Sequence, residues 1–220
     1  MPVTLATIKQ NHTINTFLRQ ADRNLAILGL TEHGFRHANL VAQIAGNVLE
    51  RLEYPPREVE LAQVAGYCHD IGNLISRANH GGFGACLLFP ILKELGMSDE
   101  ESAIIISAVG NHEEEVGTAV TPVSAALILA DKSDVHRTRV RNPDQATYDI
   151  HDRVNFAAVR SFVNVDKEKR TVALELTIER EICPVMDYFE IFLSRMVMCR
   201  RAAELLDCQF KLEINGASLL

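Results

Sequence analysis

Six residues in this chain are of the types that hold metal ions: His37, the adjacent pair His69 and Asp70, His80, His112 and Asp131. Imidazole and carboxylate suit borderline and harder transition metals, so six such groups are enough to surround two divalent or trivalent ions without any cysteine. Two ions a few ångströms apart share an oxygen and lower the pKa of a bound water, and the hydroxide so formed attacks phosphorus. Asp70 is the candidate bridge, because a carboxylate offers two oxygens where a neutral imidazole offers one lone pair. Each histidine alone would be taken for a capping or surface residue near a helix end. The ordered set turns the expectation to metal chemistry.

Helices must bring these groups together. From Thr4 to about Asp134 apolar residues recur at three-to-four spacing, which predicts several packed helices. One is expected over 35–52, with Leu40, Val41, Ile44, Val48 and Leu49 as its apolar stripe and Pro55 with Pro56 as its stop. The next should run over 57–70 and end at Gly72, as helices end at a C-terminal glycine, leaving His69 and Asp70 near a helix end. Gly81, Gly82 and Gly84 predict a turn before helical periodicity resumes over 85–95, with His80 at the entrance. Ser98, Asp99 and Glu101 cap a helix through Val109 that delivers His112 just beyond its apolar body. Thr121 and Pro122 start another, whose apolar run carries Asp131 inward.

Beyond Tyr148 the period changes to two. Ala157, Val159, Val163 and Val165, then Val172, Leu174, Leu176 and Ile178, alternate with more polar positions and predict two strands joined by a hairpin over 166–170. A helix over 184–206, with Val185, Phe189, Phe192, Met196, Cys199 and Ala203 inward, leads to a third strand through Phe210, Leu212 and Ile214. The expected fold is mainly α: a helical metal-binding domain over 1–148 with a small C-terminal β-β-α-β unit over 149–220 packed on it.

A chain of 220 residues with 47% hydrophobic content can bury one sizeable core. Its formal net charge of -7 argues against a long nucleic acid as partner, since duplex binding starts from a basic field. No apolar run approaches the roughly 20 residues that span a bilayer, and no secretory signal opens the chain, so a cytoplasmic protein without a membrane partner is expected. Its five cysteines are scattered, with neither zinc spacing nor a CxxC motif, and are expected to be reduced and structural; Cys68, beside His69, belongs to the core.

The order His37, His69-Asp70, Asp131 resembles the H...HD...D signature of the HD-domain metal-dependent phosphohydrolase superfamily. The local motifs HANLVA, GYCHDIGN, NHGGFGA, VGNHEE and ILADKSD agree, and the resemblance covers roughly residues 30 to 140. It implies an HD-domain helical bundle. With His80 and His112 also present, the chain resembles the six-ligand, two-metal branch, which includes HD-type dinucleoside-tetraphosphate hydrolases and, more distantly, cyclic-dinucleotide phosphodiesterases. The resemblance implies His37, His69, Asp70 and Asp131 around one ion and His80 with His112 serving the other. It further implies His69 and Asp70 as the catalytic pair and two divalent or mixed-valent ions, iron or manganese, as cofactors. The expected function is hydrolysis of a phosphate ester or anhydride in a small nucleotide by metal-bound hydroxide. The same six ligands occur in HD-type di-iron oxygenases, so oxygenation is an alternative, marked by iron-dependent oxygen consumption. A non-catalytic nucleotide sensor is another, marked by tight binding without turnover.

Asn73 stands where many HD proteins carry a lysine, so a cation that would meet substrate phosphate is missing there. Lys132, Arg137 and Arg139, with Arg141, are the candidate substrate-binding replacements, although a charged loop is ordinarily just solvated. His33, a helical turn before His37, would face the same cleft or the surface. Among Glu113, Glu114 and Glu115, one carboxylate is a candidate to fix an imidazole tautomer. The C-terminal unit has a surface that a homodimer would use.

Overall fold

The computed structural model describes residues 2–114 and 116–219. Helix α1 (Leu5–Gln10) is opened by a Thr4–Thr7 capping box, and Asn11 caps α2 (His12–Ile27), whose buried Ile14, Leu18, Ala21 and Leu25 form one stripe. Helix α3 (Phe35–Arg51) buries His37 on the same face as Ala38, Val41, Ala45 and Val48, so the packing that builds the core also carries the first imidazole inward. Helix α4 (Pro56–Cys68) begins with Pro56 in its first turn, a position where the missing N–H costs nothing. It crosses α3 closely: a Cβ on Gly66 would come within 2.8 Å of the Ala42 Cα.

The helix expected over 57–70 ends two residues early, because the chain tightens at His69 into a 3-10 segment, His69–Leu74. Gly72 is therefore not a C-terminal stop. It has no left-handed backbone, and what it supplies is room: a Cβ there would lie 1.9 Å from the carbonyl oxygen of His80. The turn expected at Gly81, Gly82 and Gly84 is also corrected. Asn79, at φ 63°, makes the turn by itself, and α5 (His80–Glu94) starts at His80 with the glycines inside its first turns. Gly72→Ala is expected to cost about 3 kcal/mol in a urea titration, since backbone must shift to admit the methyl group. Gly82→Ala, at an exposed helical position open on all sides, should gain about 0.5 kcal/mol. Equal midpoints for the two variants would refute this view of the α4–α5 junction.

Helix α6 (Asp99–Gly110) is capped by Ser98, and α7 (Pro122–Ser133) by a Thr121–Ser124 capping box, as expected. Every residue of α7 from Val123 to Ala130 is buried, which makes it the central helix, packed against α3, α4 and α6. Helix α8 (Ile150–Ala157) lies where no element was expected, and it takes Ala157 out of the first strand. Strands β1 (Ala158–Asp166) and β2 (Thr171–Ile178) form the antiparallel hairpin, with Val163 opposite Leu174. Helix α9 (Val185–Leu205) crosses over to β3 (Gln209–Ile214), which runs parallel to β2 with Leu212 beside Leu174. A short β4 (Ala217–Ser218) extends the sheet to the order β1-β2-β3-β4. One face of α9 meets β3 and another meets α7, and a single apolar core runs through all of them. Among the described residues no helix is long and apolar enough to cross a membrane.

Candidate metal centre

Five of these segments end or bend at one point. His37 comes from α3, His69 and Asp70 from the 3-10 segment after α4, His80 from the first residue of α5, His112 from just past α6, and Asp131 from the last turns of α7. The four imidazoles and Asp70 are at most 4% exposed, and the Asp131 side chain is 12% exposed. His37 Nε2 lies 3.1 Å from His69 Nε2, 3.3 Å from Asp131 Oδ1 and 3.5 Å from Asp70 Oδ2. On the other side His80 Nε2 lies 3.0 Å from His112 Nε2 and 3.6 Å from Asp70 Oδ1. Asp70 thus turns one oxygen to each histidine pair.

Hydrogen bonding decides whether these donors fit a cation. His69 Nδ1 donates to the Gly66 carbonyl (2.8 Å), His80 Nδ1 to that of Arg77 (2.9 Å) and His112 Nδ1 to that of Val109 (2.6 Å). His37 Nδ1 donates to Asp134 Oδ2 at 2.7 Å. A carbonyl has no proton to give, so the Nδ1 protons are fixed by their partners, and every neutral ring points a bare Nε2 lone pair inward. Lone pairs 3.0 to 3.1 Å apart repel unless positive charge lies between them. Asp70 Oδ2, moreover, is buried without a hydrogen-bond partner. The cluster therefore fits a cation, and its all-nitrogen-and-oxygen donor set suits borderline to hard metals. Among the described residues three overlapping groups meet the spacing for an ion: His37, His69 and Asp70; His69, His112 and Asp131; Asp70, His80 and His112.

Protonation follows the same demand. Burial works against a charged His69, yet the Asp70 and Asp131 carboxylates outweigh it and push its pKa up to about 10. Burial opposes ionised Asp70 and Asp131 too, but the neighbouring cations, His69 for the one and Lys132 for the other, hold both well below the usual carboxylate range. His80 and His112 are lowered, chiefly by burial.

Asp134, which sequence reasoning missed, anchors the His37 ring and also takes Arg36 Nη2 at 2.7 Å. Its only sequence signal is its place three residues after Asp131. Carboxylates behind a ligating histidine raise its basicity and fix its orientation. Asp134→Asn should weaken metal binding about 10- to 100-fold by calorimetric titration; an unchanged affinity would show that the backbone alone holds His37.

Lys132 is buried, with Nζ 2.7 Å from Asp131 Oδ2. Arg137 is not brought to the cluster: it pairs with Glu179 at 2.7 Å and lies over the Phe156 ring. Arg139 is buried and donates to the carbonyls of Glu32 and Asp134, and Arg141 pairs with Asp22. Asn73 donates to Asp70 Oδ1 at 2.8 Å and accepts from Arg77, so the cation absent at position 73 arrives one turn later. Arg77 and Arg195, neither expected, line a cavity of about 300 Å³ with His80, Glu113, Glu114 and Lys132. The guanidinium of Arg195 is paired with Glu114 at 2.6 Å. His33 precedes α3, and its ring lies 5.4 Å from that of His37, on the cleft side. Glu113 approaches His80 Nδ1 at 3.4 Å, not His112, while Glu115 lies outside the described residues. Cys68 is buried core, its thiol pKa raised by desolvation.

The profile of the HD domain family matches residues 34–190. The chain is also 25% identical over 195 residues to an uncharacterized protein of Methanocaldococcus jannaschii, covering 78% of this chain and 74% of that one.

Proposed function

The chain belongs to the HD domain family, and from that premise we propose that it is a two-metal phosphohydrolase acting on a phosphate ester or anhydride of a small molecule. One observation supports this most: four imidazoles tied back through Nδ1 turn four Nε2 atoms, with Asp70 and Asp131, toward one buried point. His37, His69 and Asp131 would hold one divalent ion and His80 with His112 the other, with Asp70 shared. Bound there, such ions supply Lewis-acid charge and acidify a water. The chain's own groups do the rest. Lys132, Arg77 and Arg195 border the same opening and would orient the phosphate and offset its charge. Arg139 would act by positioning, because it clamps the Asp134 and Glu32 carbonyls behind His37.

The test is a panel of phosphate esters and anhydrides offered anaerobically to manganese-, iron- and cobalt-loaded protein beside a His69→Ala control. Phosphate release with manganese, falling about 10³-fold in the control, is expected. Release that survives His69→Ala, or iron-dependent oxygen uptake without phosphate release, would overturn the proposal, the second in favour of an oxygenase.

A further inference from the structure

A second cavity, of about 140 Å³, adjoins the cluster and shares Arg77 and Arg195 with the opening just described. On the metal side it is bounded by His33, in ring contact with His37, and by Arg77, which reaches Asp70 through Asn73. Helix α8 contributes Asp152 and Asn155 to its lining, with the cap residue Asp149. Asn155 is 5% exposed; its amide nitrogen donates to the His151 carbonyl, and its side-chain oxygen accepts no hydrogen bond among the described residues. The cavity therefore sets the hydrogen-bond acceptors of α8 and its cap among the guanidinium groups of Arg77, Arg139 and Arg195.

Size and lining both select against a nucleobase. About 140 Å³ is close to the volume of a cavity that holds benzene, enough for a sugar-sized body but not for a base and its ribose together. The aromatic ring in the wall, Phe192, is only 1% exposed, its face is covered by the Arg195 guanidinium at 4.4 Å, and Tyr188 meets it edge-on. No flat apolar slot is left for stacking. Acceptors such as carboxylate and amide oxygens pair instead with hydroxyl donors.

We propose that this cavity receives the hydroxylated body of a sugar-sized phosphomonoester whose phosphate lies between Arg77 and Arg195, so that the preferred substrates are of the pentose phosphate kind and not nucleotides. The reaction itself rests on the phosphohydrolase proposal above; the ligand preference is measurable without it. Ribose 5-phosphate, orthophosphate and adenosine 5'-monophosphate are titrated calorimetrically into the protein without added metal, and manganese-dependent phosphate release from ribose 5-phosphate and the panel above is followed separately. Ribose 5-phosphate is expected to bind at least about tenfold tighter than either of the others, because its hydroxyl groups reach the Asn155 and Asp152 oxygens, which orthophosphate cannot and a nucleotide is too large to do. Asn155→Leu should reduce it to the affinity of orthophosphate, and Asp152→Asn, at a partly exposed position that places less strain on folding, should weaken it about threefold or more. Tighter binding of the nucleotide, no binding of any phosphate, or indifference of ribose 5-phosphate to both substitutions would each overturn the assignment. Absence of manganese-dependent phosphate release from ribose 5-phosphate and from the whole panel above, beside intact ribose 5-phosphate binding, would remove the hydrolase and leave the pocket assignment standing.

Discussion

Asp70→Ala should lower kcat/KM for phosphate release by about 10³-fold or more, a loss of about 4 kcal/mol of transition-state stabilisation. The size follows from position. Asp70 Oδ2 lies 3.3 Å from His69 Nε2 and 3.5 Å from His37 Nε2, while Oδ1 lies 3.6 Å from His80 Nε2, so its loss takes a donor from both halves of the cluster. On the two-ion assignment proposed above, His112→Ala removes a donor from the His80 half and should leave the other half's ion in place. Metal content measured beside the kinetics separates the two cases: Asp70→Ala should retain less than half the wild-type metal, His112→Ala about half. A folded Asp70→Ala protein with kcat/KM within about tenfold of wild type would show that this carboxylate is not shared.

Stripping both ions with a chelator should lower the melting temperature by roughly 10–20 °C, and manganese should restore it. Without a cation, the Asp70 and Asp131 carboxylates draw on protons and on Lys132 instead, which is the cause of the upward shift of His69 to about 10. An ion at a hundred times its Kd adds about 2.7 kcal/mol per site, and for a chain of this size each kcal/mol moves the midpoint by roughly 2–4 °C. The wild-type shift should shrink in Asp70→Ala. Coincident melting curves with and without saturating manganese would contradict the metal centre.

The cluster was legible because the types and local contexts of its residues are both written in the chain. Thr121 and Pro122 announce α7, its unbroken apolar run announces burial, and Asp131 follows directly; Ser98 and the body of α6 deliver His112 in the same way. The β-β-α-β unit was visible from a change of period, although the start of β1 was not, since Ala157 fits either a helix end or a strand. Where local cues had two physical meanings, the structure chose the other one. Gly72 looks like a helix stop and is a contact with the backbone of His80; Gly81, Gly82 and Gly84 look like a turn and lie within α5. The partners of the cluster residues were hidden for a different reason. Asp134 meets His37 from 97 residues away, and Arg195 enters the cleft from α9, on an element whose sequence speaks only of packing. Arg137, conversely, stood close in sequence to Asp131 but pairs with Glu179, while its neighbours Asp134 and Arg139 stay behind His37.

Anomalous diffraction at the manganese edge from manganese-soaked crystals tests the two-ion centre most directly. Two peaks are expected, one among His37, His69 and Asp131 and one beside His80 and His112, with Asp70 touching both. A lone peak, or peaks away from these six side chains, would contradict it.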